Sequence, residues 1–268
     1  MSDAMIRQQR LPDWFPGWAS RLWDLYFSGT TALFVLHGNV QDLVPSRDGY
    51  GTLGDFLAEE MFGRWDLVLH YDLARGLRAF AGRNGDRLKE MVVLANRKVG
   101  DLTLARKDPS TAFAMLDRFV QNNIMADGDD QVSAAVFIDH ASFLIPSGEP
   151  GRLSLGASTH IVTLLNWAAS PHLKRLNMAF VLIDEKVSAL SERVTGSPHV
   201  AAIEVPLPGQ SERERFTLAT TANRDFSAAS DYTPAELARL TAGISLVDLN
   251  MMVQSAFEGA QRLDASRM

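Results

Sequence analysis

His37, Asp72, Asp139, His140 and Asp184 each stand at or just past the carboxyl end of a short apolar run. Carboxylate and imidazole are ligands for divalent metals, and a neutral imidazole can take up a proton near neutral pH. If the apolar runs are parallel strands of one sheet, all five residues arrive at the same edge, where doubly wound sheets bind ligands. The set offers one further alternative reading, a metal-assisted hydrolase with these residues as ligands, although their spacings match no metal motif. Polar residues also end strands for structural reasons. His37 and His140 in particular read as hydrogen-bonded loop or cap residues.

The elements that would bring these residues together follow from the pattern of apolar side chains. Residues 32–36, 67–71, 134–138, 179–183 and 201–205 are apolar, largely non-alternating and rich in β-branched or aromatic types. That is the pattern of strands covered on both faces. Helical periodicity separates them over 52–65, 108–124 and 158–169, the second opening with Asp108 as N-cap and Pro109 at the first helical position. Strands alternating with helices predict an α/β fold, a doubly wound parallel sheet of five strands. Residues 73–107 read as a mixed insertion in which 91–94 and 102–104 form a small hairpin.

Residues 1–13 are polar and expected to be loose. Trp14, Trp18, Leu22 and Leu25 then share a helical face, which either packs on its own domain or serves as a docking face for a partner. Downstream, Pro206-Leu207-Pro208 stops the last strand. Capping patterns at Ser211-Glu212-Arg213-Glu214, Thr233-Pro234-Ala235-Glu236 and Ser245-Leu246-Val247-Asp248 predict a run of helices. The expected organisation is an N-terminal extension with an aromatic helix over 1–28, an α/β body over 29–209, and a helical lid subdomain over 210–268.

The chain has 268 residues, 46% hydrophobic and 22% charged, enough for one large domain with a small appendage. A net charge of −6 argues against unspecific binding to nucleic acid or to anionic lipid. Cysteine is absent, so disulfides, thiolate metal sites and cysteine catalysis are excluded. The N-terminus has no apolar signal core, and no run approaches the roughly 18 apolar residues of a membrane span. The expectation is a cytoplasmic protein with neither membrane nor nucleic acid as a partner.

The order of strands, the Pro-Leu-Pro exit and the helical tail resemble an AAA+ ATPase domain over about 29–263. One stretch that carries the resemblance is Ala201-Ala202-Ile203-Glu204-Val205-Pro206-Leu207-Pro208 with the arginine-bearing Glu212-Arg213-Glu214-Arg215-Phe216 after it. The other is Leu237-Ala238-Arg239-Leu240-Thr241-Ala242-Gly243-Ile244-Ser245-Leu246-Val247-Asp248-Leu249, similar to a lid in which one helix ends at Thr-x-Gly and the next starts at Ser-x-x-Asp-Leu. The resemblance implies a P-loop NTPase-like fold that binds ATP or ADP with Mg²⁺ and assembles into rings. It implies that Asp139 is the Walker B aspartate holding the metal, that a polar sensor stands near Asp184-Glu185, and that an arginine finger lies in the region of Arg193.

The functional motifs depart from the family pattern. A phosphate loop needs Gly-Lys-Thr or Gly-Lys-Ser, so that backbone N–H groups cradle the phosphates and the lysine offsets their charge. Here the first strand runs into His37-Gly38-Asn39-Val40-Gln41-Asp42, with one glycine, no lysine, and an aspartate where anions would sit. No GxxxxGK[ST] match occurs anywhere in the chain. His140 replaces the glutamate that polarises water, and Asp184 replaces a neutral sensor. Asp139, His140 and Arg193 are the catalytic candidates that remain, and an exposed helix-end arginine is the ordinary reading of the last.

The departures imply a degenerate module, with ATP binding and hydrolysis weak or absent, that serves ring assembly or regulates an active ATPase partner. Such modules often share a chain with a competent one, so the expectation is an N-terminal module whose natural chain continues past Met268. An alternative is a nucleotide-binding domain with a non-standard loop, in which His37, Gly38, Asn39, Asp139 and Asp184 surround the nucleotide and Asp139 takes the metal. Arg213 and Arg215 read as surface pairs with Glu212 and Glu214, and the loop from Gly148 to Arg152 as a plain connection.

Overall fold

The apolar runs form strands, and the strands are buried on both faces. The structure is a computed structural model and describes residues 11–105, 107–173, 175–259 and 262–264. Most of the N-terminal stretch expected to be loose, and the last four residues, lie outside the described ones. Contacts divide the chain into two units, Met1–Val40 with Leu53–Val205 and Gln41–Thr52 with Pro206–Met268.

The first unit opens with α1 (Gly17–Phe27), which buries Ala19 and Leu22. Trp18 meets Phe56 edge-on at 5.4 Å and Tyr26 meets Trp65 at 5.2 Å, so the aromatic helix lies on its own domain. After β1 (Leu33–Gly38) the chain departs into a hairpin of β2 (Val44–Ser46) and β3 (Gly49–Gly51), which belongs to the second unit. It returns as one turn, α2 (Leu53–Phe56), that widens into a π-helical turn over Leu57–Met61. Then come β4 (Leu67–Asp72), β5 (Gly76–Ala79), α3 (Gly85–Lys98), α4 (Leu102–Ala105), α5 (Pro109–Met125) and β6 (Ala134–Asp139). The unit closes with α6 (Leu155–Ala169), β7 (Met178–Asp184), the single turn α7 (Glu192–Thr195) and β8 (Val200–Val205).

The sheet order is β5-β4-β6-β7-β1-β8. All neighbours pair in parallel except β5, which runs antiparallel to β4 at the edge. In β4, β6 and β7 every residue but the last is buried. Successive strand residues point to opposite faces, so both faces are covered. The fold is thus the doubly wound α/β sheet expected, with a sixth, short strand added. Phe113 stacks on Trp167 at 5.9 Å and Trp167 on Phe180 at 4.5 Å, and the Trp167 indole N–H donates to Asp117 at 2.8 Å. Among the described residues no helix is long and apolar enough to cross a membrane.

Several local expectations are corrected. Residues 91–94 and 102–104 are not a hairpin: they lie in α3 and α4. Asn84 caps α3 by accepting from the Arg87 N–H at 3.0 Å, and only Met91 and Ala95 of that helix are buried. Val92 and Val93 face outward, so the short β-branched run sits on a helix whose cap outweighs strand propensity. The helix expected from 52 to 65 is a turn followed by π geometry. Arg87 donates to the carbonyls of Ala58, Phe62 and Trp65 at 2.8, 3.0 and 3.1 Å, satisfying groups that this helix end leaves open.

The second unit holds α8 (Gln210–Thr221), α9 (Phe226–Ala229), α10 (Pro234–Leu240) and α11 (Leu246–Glu258). Phe216, Leu237, Leu246, Leu249 and Val253 form its core, with Leu43 and Tyr50 packed against them. Thr233 and Glu236 make the expected reciprocal cap, each bonding the other's backbone N–H. The cap of α8 is not at Ser211 but at Gly209, whose N–H donates to Glu212 at 2.7 Å. Arg213 is no surface pair. It is 4% exposed, and its guanidinium donates to the carbonyls of Ala238 and Pro208.

His160 on α6 is 4% exposed; it stacks on Phe113 at 4.4 Å, and its Nδ1 faces the Leu144 carbonyl at 3.3 Å. Its Nε2 has no hydrogen-bond partner among the described residues. Burial pushes the imidazole below its ordinary value, against the weaker opposing pull of the Leu144 carbonyl and Asp108. The folded state therefore keeps the ring neutral while the unfolded chain protonates, so stability is full above about pH 6.5 and declines below it. His160→Phe is expected to flatten that decline, read from urea midpoints between about pH 5 and 7; an unchanged slope would contradict this assignment. Phe137→Ala, at a fully buried central strand position, is expected to cost about 3–5 kcal/mol in denaturant unfolding. Val93→Ala, on the outer face of α3, is expected to stay within about 0.5 kcal/mol.

Candidate functional site

The carboxyl edge of the sheet carries the residues singled out by sequence. At the exit of β1, Gly38 has φ +95, and a Cβ there would lie 2.7 Å from the Val205 carbonyl oxygen. Glycine is therefore required by close backbone approach as well as by the dihedral. The Gly38 N–H donates to Glu185 O at 3.0 Å, the Asn39 N–H to Val205 O at 2.8 Å, and the Val40 N–H back to Gly38 O at 2.9 Å. Three consecutive amides at the phosphate-loop position are thus spent on the protein's own carbonyls. Gly38 and Asn39, expected to offer N–H groups to a nucleotide, do not present them. Nor does a long helix follow β1 to add its N-terminal dipole, because the chain turns into the β2–β3 hairpin and α2 is a single turn.

Asp139, the last residue of β6, is about a third exposed at 32% of its side chain. Its Oδ2 lies 2.6 Å from His70 Nε2. His70 Nδ1 lies 2.9 Å from Arg78 Nη2, and Arg78 Nη1 donates to Asp72 Oδ2 at 2.7 Å. A guanidinium can only donate, so Nδ1 is the acceptor and the imidazole proton sits on Nε2, pointing at Asp139. The four side chains form one chain of hydrogen bonds across β5, β4 and β6. Cross-strand pairing puts them on one face: His70 is opposite Arg78 on one side and Phe137 on the other, with Asp72 and Asp139 two residues further along. Asp72 Oδ1 also accepts from the Ala74 and Arg75 amides at 2.9 and 2.7 Å. Burial pushes the Asp72 carboxyl up, but the Arg78 hydrogen bond and those amides outweigh it and hold the group below the usual carboxylate range.

Of the other candidates, His37 and Asp184 are cross-strand neighbours. His37 ends up inside β1, in register with Asp184 of β7 and Glu204 of β8. Asp184 serves as a cap: Oδ2 accepts from the Ser142 N–H at 2.8 Å and Oδ1 from the Lys186 N–H at 3.3 Å. His140 is exposed in the left-handed region at φ 52, just before the 3₁₀ turn Ala141–Phe143. Arg193 is exposed on α7. Among the described residues no group of three His, Asp or Glu side chains is placed to hold a metal ion. The loop containing Gly148 forms a 3₁₀ turn over Pro150–Arg152 and is exposed.

A family model described as "AAA+ chaperone, N-terminal Rossmann-like domain" matches residues 9–206. The chain belongs to the AAA+ chaperone family. A second model of the family, "AAA+ chaperone, second helical domain", matches residues 211–268 of this AAA+ chaperone chain. A solved structure titled "Structure of E. coli MS115-1 HORMA:CdnC:Trip13 complex" contains a chain similar in fold, with a TM-score of 0.50 at 15% identity. The match covers 86% of this chain and 68% of that one. No curated protein matches the AAA+ chaperone chain.

His70 and Arg78 are residues of this edge that the sequence reading passed over. The one available signal was His70 itself, a titratable residue inside the apolar run Leu67-Val68-Leu69-His70-Tyr71. A double-mutant cycle of His70→Phe and Asp139→Ala is expected to give a coupling of about 1–2 kcal/mol in urea unfolding, as for hydrogen bonds to charged groups. The ¹⁵N shifts of the imidazole are expected to show a protonated Nε2 and a bare Nδ1. Zero coupling, or the other tautomer, would break the assigned chain of bonds.

Proposed function

We propose that this chain is a non-hydrolysing AAA+ module that contributes to ring assembly or regulates an active ATPase module. The observation that carries the reading is the exit of β1, where the Gly38, Asn39 and Val40 amides are already bonded to backbone carbonyls. ATP or ADP with Mg²⁺, which the family implies, needs those amides and a lysine to offset the triphosphate charge. Neither is available there, so the residues present do not fit the nucleotide. Asp139 supports the same reading, because one of its carboxylate oxygens is engaged by His70.

The active module is proposed to be a second AAA+ unit, on the same natural chain or on a partner subunit. Self-association or mixed rings with AAA+ subunits would supply the assembly, and Arg193, exposed on α7, is the side chain proposed to face a neighbour. Calorimetric titration of the full chain with Mg·ATP and Mg·ADP is expected to give no binding heat, and phosphate release to stay at background. Turnover near about 1 per second, an ordinary enzyme rate, would refute the reading.

A further inference from the structure

Asp42 belongs to the segment Gln41–Thr52 that the chain contributes to the second unit. It is 6% exposed. Its Oδ2 accepts from the Leu246 N–H at 2.9 Å, and its Oδ1 from the Val247 N–H at 2.9 Å and the Leu43 N–H at 2.8 Å. Leu246 and Val247 are the first two residues of α11, and Leu246 is 204 positions from Asp42. A helix start leaves its first N–H groups without internal partners and attracts negative charge. Here Asp42 takes two of them, and the Ser245 hydroxyl takes the next, from Asp248, at 3.0 Å. The opening of α11 is therefore satisfied by side chains of the chain itself.

Around this carboxylate, Leu43 and Tyr50 pack against the core of the second unit, Tyr50 meeting Phe216 edge-on at 4.8 Å. We propose that residues 41–52 are a strap fastened permanently to the helical unit, with Asp42 as the built-in anion that holds it. The segment leaving the first strand is ordered in this chain by an internal carboxylate and an apolar hairpin. The strap is independent of whether the body binds nucleotide.

Hydrogen exchange on the full chain, with and without Mg·ATP, tests this. Wild-type peptides covering 41–52 are expected to exchange slowly and at the same rate in both conditions. Asp42→Ala is expected to speed their exchange by at least about tenfold, the scale of losing hydrogen bonds to a charged group. Peptides of β6 and β7 should stay unchanged, and Asp42→Asn, which keeps one acceptor oxygen, should fall between. If Asp42→Ala does not fold, Asp42→Asn and Tyr50→Ala are expected to show the same regional loosening. Unchanged exchange of 41–52 in the variants that fold would overturn the strap, and so would wild-type protection that appears only with Mg·ATP. Binding heat with Mg·ATP alongside unchanged exchange would sink the nucleotide-silent reading and leave the strap intact.

Discussion

Parallel pairing of β1 with both β7 and β8 continues past the end of the strand, and the backbone beyond His37 is stitched down as a result. Gly38 and Asn39 hand their N–H groups to Glu185 and Val205, one on each neighbouring side. An unmade backbone bond in a buried place costs about 1–3 kcal/mol. Releasing both amides would leave the Glu185 and Val205 carbonyls without these two bonds. The close approach of Gly38 to the Val205 carbonyl leaves no room for a side chain, so the turn cannot be rebuilt by simple substitution.

The acidic edge obeys the same economy. Asp72, Arg78, His70 and Asp139 are each oriented by the next, and the only group able to start the series is Arg78, which cannot lose its charge. Its position on the antiparallel edge strand β5 explains why that short strand matters. Without β5, His70 would be a half-satisfied polar group in a covered face, a costly arrangement. Elsewhere along the edge, Asp184 is engaged in holding a turn. Asp72 and Asp184 thus satisfy backbone N–H groups, and the network that links Asp72 to Asp139 centres on a residue in the middle of an apolar run.

The pattern of apolar residues was enough to locate β1, β4, β6, β7 and β8 to within about two residues, because strands buried on both faces leave little choice of residue. Caps at Asp108, Thr233 and Ser245 were equally legible, since each bonds a backbone N–H close in sequence. β5 was not: Gly76-Leu77-Arg78-Ala79 is too short and too mixed to show a period, and only its pairing with β4 makes it a strand. The valines of α3 misled because their propensity is local while the helix is set by Asn84 and by two buried positions. Among functional candidates, residue type at strand ends found Asp72 and Asp139. It could not find their connection through His70 and Arg78, nor the burial of Arg213, because those depend on partners distant in sequence.

The discontinuous make-up of the second unit has a consequence for biosynthesis. Residues 41–52 emerge from the ribosome long before residue 246, and at about 5–20 residues per second the interval is on the order of ten to forty seconds. For that time Asp42 has no helix to cap, and Tyr50 lacks Phe216 until residue 216 has been made. The nascent hairpin is a segment that chaperones or proteases could engage, and the closing helix α11 is the event that ends its exposure. A truncation that removes only α11 would accordingly be felt at the opposite end of the chain, in a loop made two hundred residues earlier.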